Sequence, residues 1–253
     1  MSFAEDALTR DGFLGGRVFV RQPRRGFRSS VDAVLMAAAV PARPGQSVLE
    51  LGCGAGAAML CLGTRVAGLR LAGLELQADY AALARRNAAE AGIGAEVHQG
   101  DLARMPAALR AERFDHVMAN PPYFPPGGGT AARDGGRETA LREGETPLAD
   151  WVRAGLRRLA DGGVLTVIQA ADRLPALLAA LPGEGRGVTA LALHPRAGRP
   201  ASRVILRAVK GGRAAFRMAA PLVLHAGDQH LKDGDDYAVQ AAAILRDAAA
   251  LEF

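Results

Sequence analysis

Cysteine is scarce in this chain: Cys53 and Cys61 are the two thiols among 253 residues. That is too few, and too local, for a disulfide framework or a metal site, so both read as reduced thiols. Long uncharged apolar runs are missing as well, which excludes a bilayer-spanning helix. Residues 1–6 lack the basic start and apolar centre of a secretion signal. A cytoplasmic protein is expected. His98, His116, His194, His225 and His230 are scattered without metal-ligand spacing, so no metal is expected. Internal repeats and long low-complexity tracts are absent too. Acid is missing from two stretches. The first, between residues 12 and 31, carries Arg21, Arg24, Arg25 and Arg28. The second, residues 185–227, carries Arg186, Arg196, Arg199, Arg203, Arg207, Lys210, Arg213 and Arg217. With a net charge of +5, two basic segments flanking the centre of the chain suit an anionic partner with a repeating backbone.

What is present begins with an ordinary globular composition, 49% hydrophobic and 23% charged, enough to bury one full core. The most informative feature is Asn120-Pro121-Pro122-Tyr123, placed directly after the apolar run Phe114–Ala119. Asn offers a side-chain carbonyl as an acceptor. Proline keeps its own carbonyl but has no N–H, so the turn presents acceptors at a fixed φ. Two acceptors suit one NH2 group. Tyr adds a flat π surface on which a base or amide plane can lie. Together these residue types point to chemistry on a planar nitrogen, methyl transfer above all.

A donor is looked for upstream. Ser47–Leu51 reads as a short apolar strand that runs into Gly52-Cys53-Gly54-Ala55-Gly56, with an Ala/Leu-rich helix behind. Glycines there let a ligand approach the backbone, and the helix start offers free N–H groups. The next strand, residues 69–74, ends at Glu75, where a carboxylate commonly takes ribose hydroxyls. A nucleoside-containing cofactor follows from this pattern. Gly52, Gly54 and Ala57 also fit the looser dinucleotide fingerprint, so NAD or FAD stays open on the glycines alone.

Residues 49–56, Glu75, Gly100-Asp101 and Asn120-Pro121-Pro122-Tyr123 together resemble the successive motifs of class I S-adenosylmethionine-dependent methyltransferases that modify amino groups. The whole chain is similar to the bacterial tRNA adenine-N6 methyltransferases that act beside the anticodon of valine tRNA. Further cues are residues 27–35, Lys210-Gly211-Gly212 and residues 221–225. The resemblance implies S-adenosylmethionine as cofactor, with Glu50, Gly52, Cys53, Gly54 and Gly56 around its methionine side. It implies Glu75 on the ribose, and Asp101 on the adenine between Leu76 and Leu102. Asn120 and the Pro121 carbonyl would hold the target NH2, Pro122 completes the turn, and Tyr123 would stack on the target base. Asp32 or Ser30 would close the methionine end, although Ser30 reads equally well as a helix N-cap. Arg21, Arg24, Arg25 and Arg28 are the expected RNA contacts. Transfer would be an in-line displacement in which the enzyme positions nitrogen, carbon and sulfur, with the target adenine splayed out of its stack.

The expected fold is α/β, a doubly wound, mostly parallel, seven-stranded sheet of the Rossmann-like class I methyltransferase type. Its strands are residues 47–51, 69–74, 95–99, 114–119, 164–169, 188–193 and 203–209, with helices over 78–91 and 151–159. Residues 1–45 would form an N-terminal extension and helix covering the cofactor pocket, and 46–253 the methyltransferase domain. Residues 124–147, glycine-rich and charged, read as a loop beside the site. Trp151 reads as a core residue of its helix. The acceptor expected is adenine N6 in RNA, tRNA in particular. A protein glutamine side chain, guanine N2 of ribosomal RNA, and an RNA-binding protein without catalysis are the other readings.

Overall fold

Two strands that the sequence did not announce open the fold. In the computed structural model, which describes residues 3–123, 146–181, 186–228 and 236–253, β1 (Leu8–Phe13) and β2 (Val18–Pro23) form an antiparallel hairpin. Leu8, Val18 and Val20 turn from it into the core. Helix α1 (Val31–Ala39) follows, starting where the Ser30 side chain accepts from the Asp32 N–H. The 124–145 part of the segment expected as a loop lies outside the described residues.

The centre of the molecule is β3 (Ser47–Leu51), buried at every position as a parallel strand covered on both faces must be. Helix α2 (Ala57–Arg65) leads to β4 (Arg70–Glu75), α3 (Ala78–Ala91) to β5 (Ala95–Gln99), and α4 (Ala107–Ala111) to β6 (Phe114–Ala119). Helix α5 (Leu148–Arg158) then feeds β7 (Leu159–Ala170), and α6 (Leu174–Ala180) leads on to β8 (Arg186–Arg196) and β9 (Arg203–Gly212). The short strands β10 (Arg217–Met218) and β11 (Leu222–His225) and helix α7 (Val239–Asp247) complete the order.

Across the sheet the strands run β10-β8-β9-β7-β6-β3-β4-β5. β3 to β7 are mutually parallel, while β9 runs antiparallel to both β7 and β8. The sheet has nine strands among the described residues rather than the seven expected, and the seven expected ones are among them. β10 and β11 add to them by following one another along the outer edge of β8, Arg217 opposite Thr189 and Leu222 opposite Leu193. Strands of two and four residues are too short to leave an alternation in the sequence.

Two apolar layers cover the sheet. One contains Leu35, Met59, Leu62 and Leu83 from α1, α2 and α3, the other Leu109, Val152, Leu156 and Leu177 from α4, α5 and α6. The chain passes from β3 to β4 and β5 on one side and returns to β6 on the other. β3 and β6 therefore flank the switch point at which open α/β sheets bind ligands, beyond the carboxyl ends of their strands. The register sets Leu51 opposite both Leu74 and Ala119, and Glu75 opposite Gln99. Gly52, Leu76, Gly100 and Asn120 thus leave the sheet at one end.

Candidate functional site

At that end lies a cleft open to solvent, where open α/β sheets bind small molecules. Its wall includes Gly52, Gly54, Glu75, Leu76, Asp101 and Leu102, and also Asn120 and Pro122. Residues from four strand ends, separated by as much as 70 positions in the chain, are brought together by the parallel register alone.

The glycine turn has no room for a side chain at its first position. Gly52 has φ +68, and a Cβ on it would stand 2.7 Å from the Trp151 ring, so a side chain is excluded both by backbone strain and by contact. Its N–H and that of Cys53 donate to the Leu74 carbonyl at 2.8 and 3.0 Å. The N–H of Gly54 donates to Glu75 Oε2 at 2.8 Å, and that of Gln77 to Oε1 at 2.8 Å. Burial raises the Glu75 pKa, opposed by these N–H groups and that of Leu76. Asp101 accepts from the Ala103 N–H at 2.8 Å. Gly56, with φ +86, is the N-cap of α2.

Glu50 and Cys53 stand apart from the cleft wall. The Glu50 carboxylate accepts from the Met59 N–H at 3.0 Å, reaching from β3 into the first turn of α2, where the glycine cap has no side chain to offer. Burial pushes its pKa up to about 8. Cys53 is buried, and burial first, then the nearby Glu50 and Glu75, push its thiol well above its usual range. Cys61 is raised by burial too. Neither cysteine is a nucleophile at neutral pH.

The Glu50 shift carries a pH dependence. A folded-state pKa of about 8 against an ordinary 4.5 means that the native chain holds a proton the unfolded chain has released. Between those values stability falls as pH rises, by up to about 1.4 kcal/mol per pH unit. Glu50→Gln keeps the acceptor and removes the titration. Denaturant melts at several pH values should therefore show the advantage of the variant over the parent growing from pH 4.5 to 8. An unchanged difference would contradict this account of Glu50.

The Asn-Pro-Pro-Tyr turn is held from three directions. The Gln169 side-chain NH2, fully buried at the end of β7, donates to the Pro121 and Pro122 carbonyls at 3.2 and 3.1 Å. The Tyr123 hydroxyl donates to Asp32 Oδ2 at 2.7 Å. Arg203 Nε reaches the same oxygen at 3.2 Å, and its guanidinium lies 4.6 Å from the centre of the Tyr123 ring. Burial, and then Asp32, raise the tyrosine pKa, so its hydroxyl stays protonated. Asp32 thus secures Tyr123, and Ser30 caps α1. Within this braced turn Asn120 Oδ1 is buried and has no hydrogen-bond partner among the described residues. A buried acceptor left bare is costly unless a ligand completes it.

Several contributors were not assigned by the sequence. Phe27 and Tyr80 line the cleft, latched to one another: the Phe27 N–H donates to the Tyr80 hydroxyl at 2.8 Å, which donates to the Phe27 carbonyl at 3.1 Å. Trp151 joins the core and also lines the cleft. Gln169 and Arg203 carry no local signal, since the first is one polar residue in an apolar strand and the second one arginine among many.

The arginines expected to meet RNA divide into two groups. Arg21 pairs with Glu90 at 2.9 Å and Glu5 at 3.3 Å, and Arg28 with Asp11 at 2.6 Å. Arg24 donates to the Asp6 carbonyl at 2.9 Å and, like Arg25, is exposed. In the second basic segment Arg196 pairs with Asp236 and Arg203 with Asp32. Arg207 donates to the carbonyls of Ala39, Leu251 and Phe253, and burial lowers its pKa to about 10.

The chain is also similar to known proteins. Residues 48–127 match a family model described as a methyltransferase domain. A tRNA1(Val) (adenine(37)-N6)-methyltransferase of Dickeya chrysanthemi is 30% identical over 219 residues, 85% of each chain. Its counterpart from Yersinia enterocolitica is 30% identical over 164 residues, and the match spans 64% of each chain. Among solved structures, an Agrobacterium tumefaciens protein described as a predicted O-methyltransferase superimposes with TM-score 0.69 at 27% identity, over 87% of this chain and 98% of its own. A Thermus thermophilus 16S rRNA N2 G1207 methyltransferase, solved with AdoMet and guanosine, shares the fold with TM-score 0.53 at 20% identity, over 80% of this chain and 50% of its own. The chain belongs to the class I S-adenosylmethionine-dependent methyltransferases, in the family of the tRNA1(Val) (adenine(37)-N6)-methyltransferases.

Proposed function

We propose that the protein methylates the exocyclic N6 of an adenine in RNA, a tRNA above all, with S-adenosylmethionine as donor. The observation that carries this is the bare, buried Asn120 Oδ1 in the cleft wall. It is the acceptor half of a site for an NH2 group, built beside a cleft whose other residues suit a nucleoside.

The donor supplies a sulfonium methyl that needs no further activation. The chain's residues then have to bind, align and exclude water. Gly52 and Gly54 give the cofactor its close approach to the backbone, Glu75 a carboxylate for hydroxyls, and Asp101 an acceptor beside the apolar Leu76 and Leu102. Phe27 forms the lip over the glycine turn. On the acceptor side Asn120 Oδ1 takes one N–H of the target amine. The Pro121 carbonyl, with a lone pair left after its bond to Gln169, takes the other. Those two bonds favour a pyramidal, more nucleophilic nitrogen and hold it in line. Tyr123 has one face covered by Arg203 and its hydroxyl fixed by Asp32, so its ring presents a preset plane to the base. The guanidinium also lessens the ring's pull on a cation, and this favours stacking of a neutral base as its role.

Guanine N2 and a glutamine amide offer the same NH2, and Asn120 does not separate them from adenine. The 30% identical relatives named for adenine favour N6. Incubation with labelled S-adenosylmethionine and bulk tRNA, followed by nucleoside analysis, should yield N6-methyladenosine. Label in N2-methylguanosine instead, or label in a glutamine side chain when a protein acceptor replaces tRNA in the incubation, would overturn the reading.

A further inference from the structure

One cluster of arginines lies on neither acid-free segment. Helices α4 and α5 lie on the same face of the sheet, where Leu109 and Leu156 share one apolar cluster. Their C-terminal ends meet at the edge opposite the cleft. There Arg158 donates to the carbonyls of Leu109, at 3.0 Å, and Arg110. Arg113 donates to the same Arg110 carbonyl at 3.3 Å and to that of Glu112 at 2.9 Å. Two guanidinium groups therefore share one carbonyl oxygen, with Arg110 and Arg157 exposed beside them.

None of these four arginines meets a carboxylate among the described residues. The acids nearby are Glu112, exposed at the end of α4, and Asp161, which faces Lys210 Nζ at 3.4 Å. Burial lowers the Arg158 pKa, and the charges of Arg113, Arg157 and Arg110 lower it further. Helix C-termini attract single cations, but four unpaired guanidinium groups in one place repel one another until an anion joins them.

The strand β6 measures the distance to the chemistry. Arg113 precedes it and Asn120 follows it, so the two are roughly 23 Å apart at about 3.3 Å per strand residue. A free nucleotide bound at Asn120 could not reach the cluster, and neither could a glutamine side chain. The phosphate backbone of a folded RNA could.

We propose that the Arg110, Arg113, Arg157 and Arg158 cluster is a second RNA-contact surface that holds the backbone of the substrate's stem while the target base occupies the cleft. This rests on the RNA reading above. It assigns substrate selection to a site remote from the reacting atoms: the enzyme prefers a structured RNA to an isolated loop.

The test pairs Arg110→Gln with Arg157→Gln, neither of which removes a hydrogen bond recorded for those side chains. Binding of fluorescent bulk tRNA is followed through a salt titration beside a seven-nucleotide single strand. The double variant should bind tRNA roughly tenfold more weakly, with a salt slope lower by about two counterions. The short strand should bind as it does to the parent. Unchanged tRNA affinity and slope would overturn the proposal, as would equal weakening for both probes. Binding needs no methyl transfer. If no RNA is methylated, the functional reading fails while the surface is judged by the titration; if RNA is methylated and the titration is flat, only the surface fails.

Discussion

Asn120→Ala should lower the rate of methyl transfer by about 10²- to 10³-fold, the usual consequence of removing one preorganised group that acts on the reacting centre. Cofactor affinity should stay within a few-fold of the parent. The reason lies in how the turn is braced. Gln169 holds the two proline carbonyls from behind and Asp32 holds Tyr123 at its hydroxyl, so truncating Asn120 leaves its neighbours in place. Because Oδ1 has no partner among the described residues, the truncation breaks no recorded bond of that oxygen, and the melting temperature should hardly move. Single-turnover rates with saturating cofactor, beside calorimetric titration with S-adenosylhomocysteine, separate the two effects. Transfer that survives would show that the amine is held elsewhere.

The elements that could be read ahead of the structure are those whose signal is local. The β3 strand and its glycine turn, Glu75 at the end of β4, and Asn120 at the end of β6 are each defined by a few consecutive residues. Parallel register does the rest, since strands that start together end together. What stayed hidden depends on contacts between distant positions. Gln169 is 47 residues beyond Pro122, and Arg203 is 171 beyond Asp32. Nothing near either residue distinguishes it.

Charge shows the same limit from the other side. Residues 12–31 contain no acid, yet in the fold Arg21 and Arg28 are paired, because the hairpin carries Asp11, with Glu5 just before it, and α3 carries Glu90. The α4–α5 cluster looks unpromising in sequence, since Glu112 sits between Arg110 and Arg113, but its guanidinium groups face no carboxylate among the described residues. An acid-free run in one dimension is a weak guide to an unpaired surface in three. Glu50 belongs to the same class. Its place in the motif suggests a ligand contact, whereas the fold turns it under α2 as a cap.

Glu75→Ala is the change with the largest expected effect on cofactor binding. In the free protein this carboxylate already accepts from the Gly54 and Gln77 N–H groups, each at 2.8 Å, so it fixes the glycine turn and the start of α3 as one unit. Hydrogen bonds to a charged acceptor are worth about 1.5–3 kcal/mol each, and loss of a single such bond to a ribose would weaken S-adenosylhomocysteine about 10- to 150-fold. The alanine variant also strands the buried Gly54 N–H and the part-buried Gln77 N–H, so its stability should drop as well. Glu75→Gln separates the two contributions. An amide oxygen can replace one acceptor, while its NH2 cannot serve the second N–H, so stability should recover in part while affinity stays low. Equal recovery of both, by calorimetric titration and thermal melting, would mean that Glu75 acts on the cofactor only through the shape of the turn. Affinity that remains low in a variant of nearly parental stability would place the carboxylate on the ligand itself.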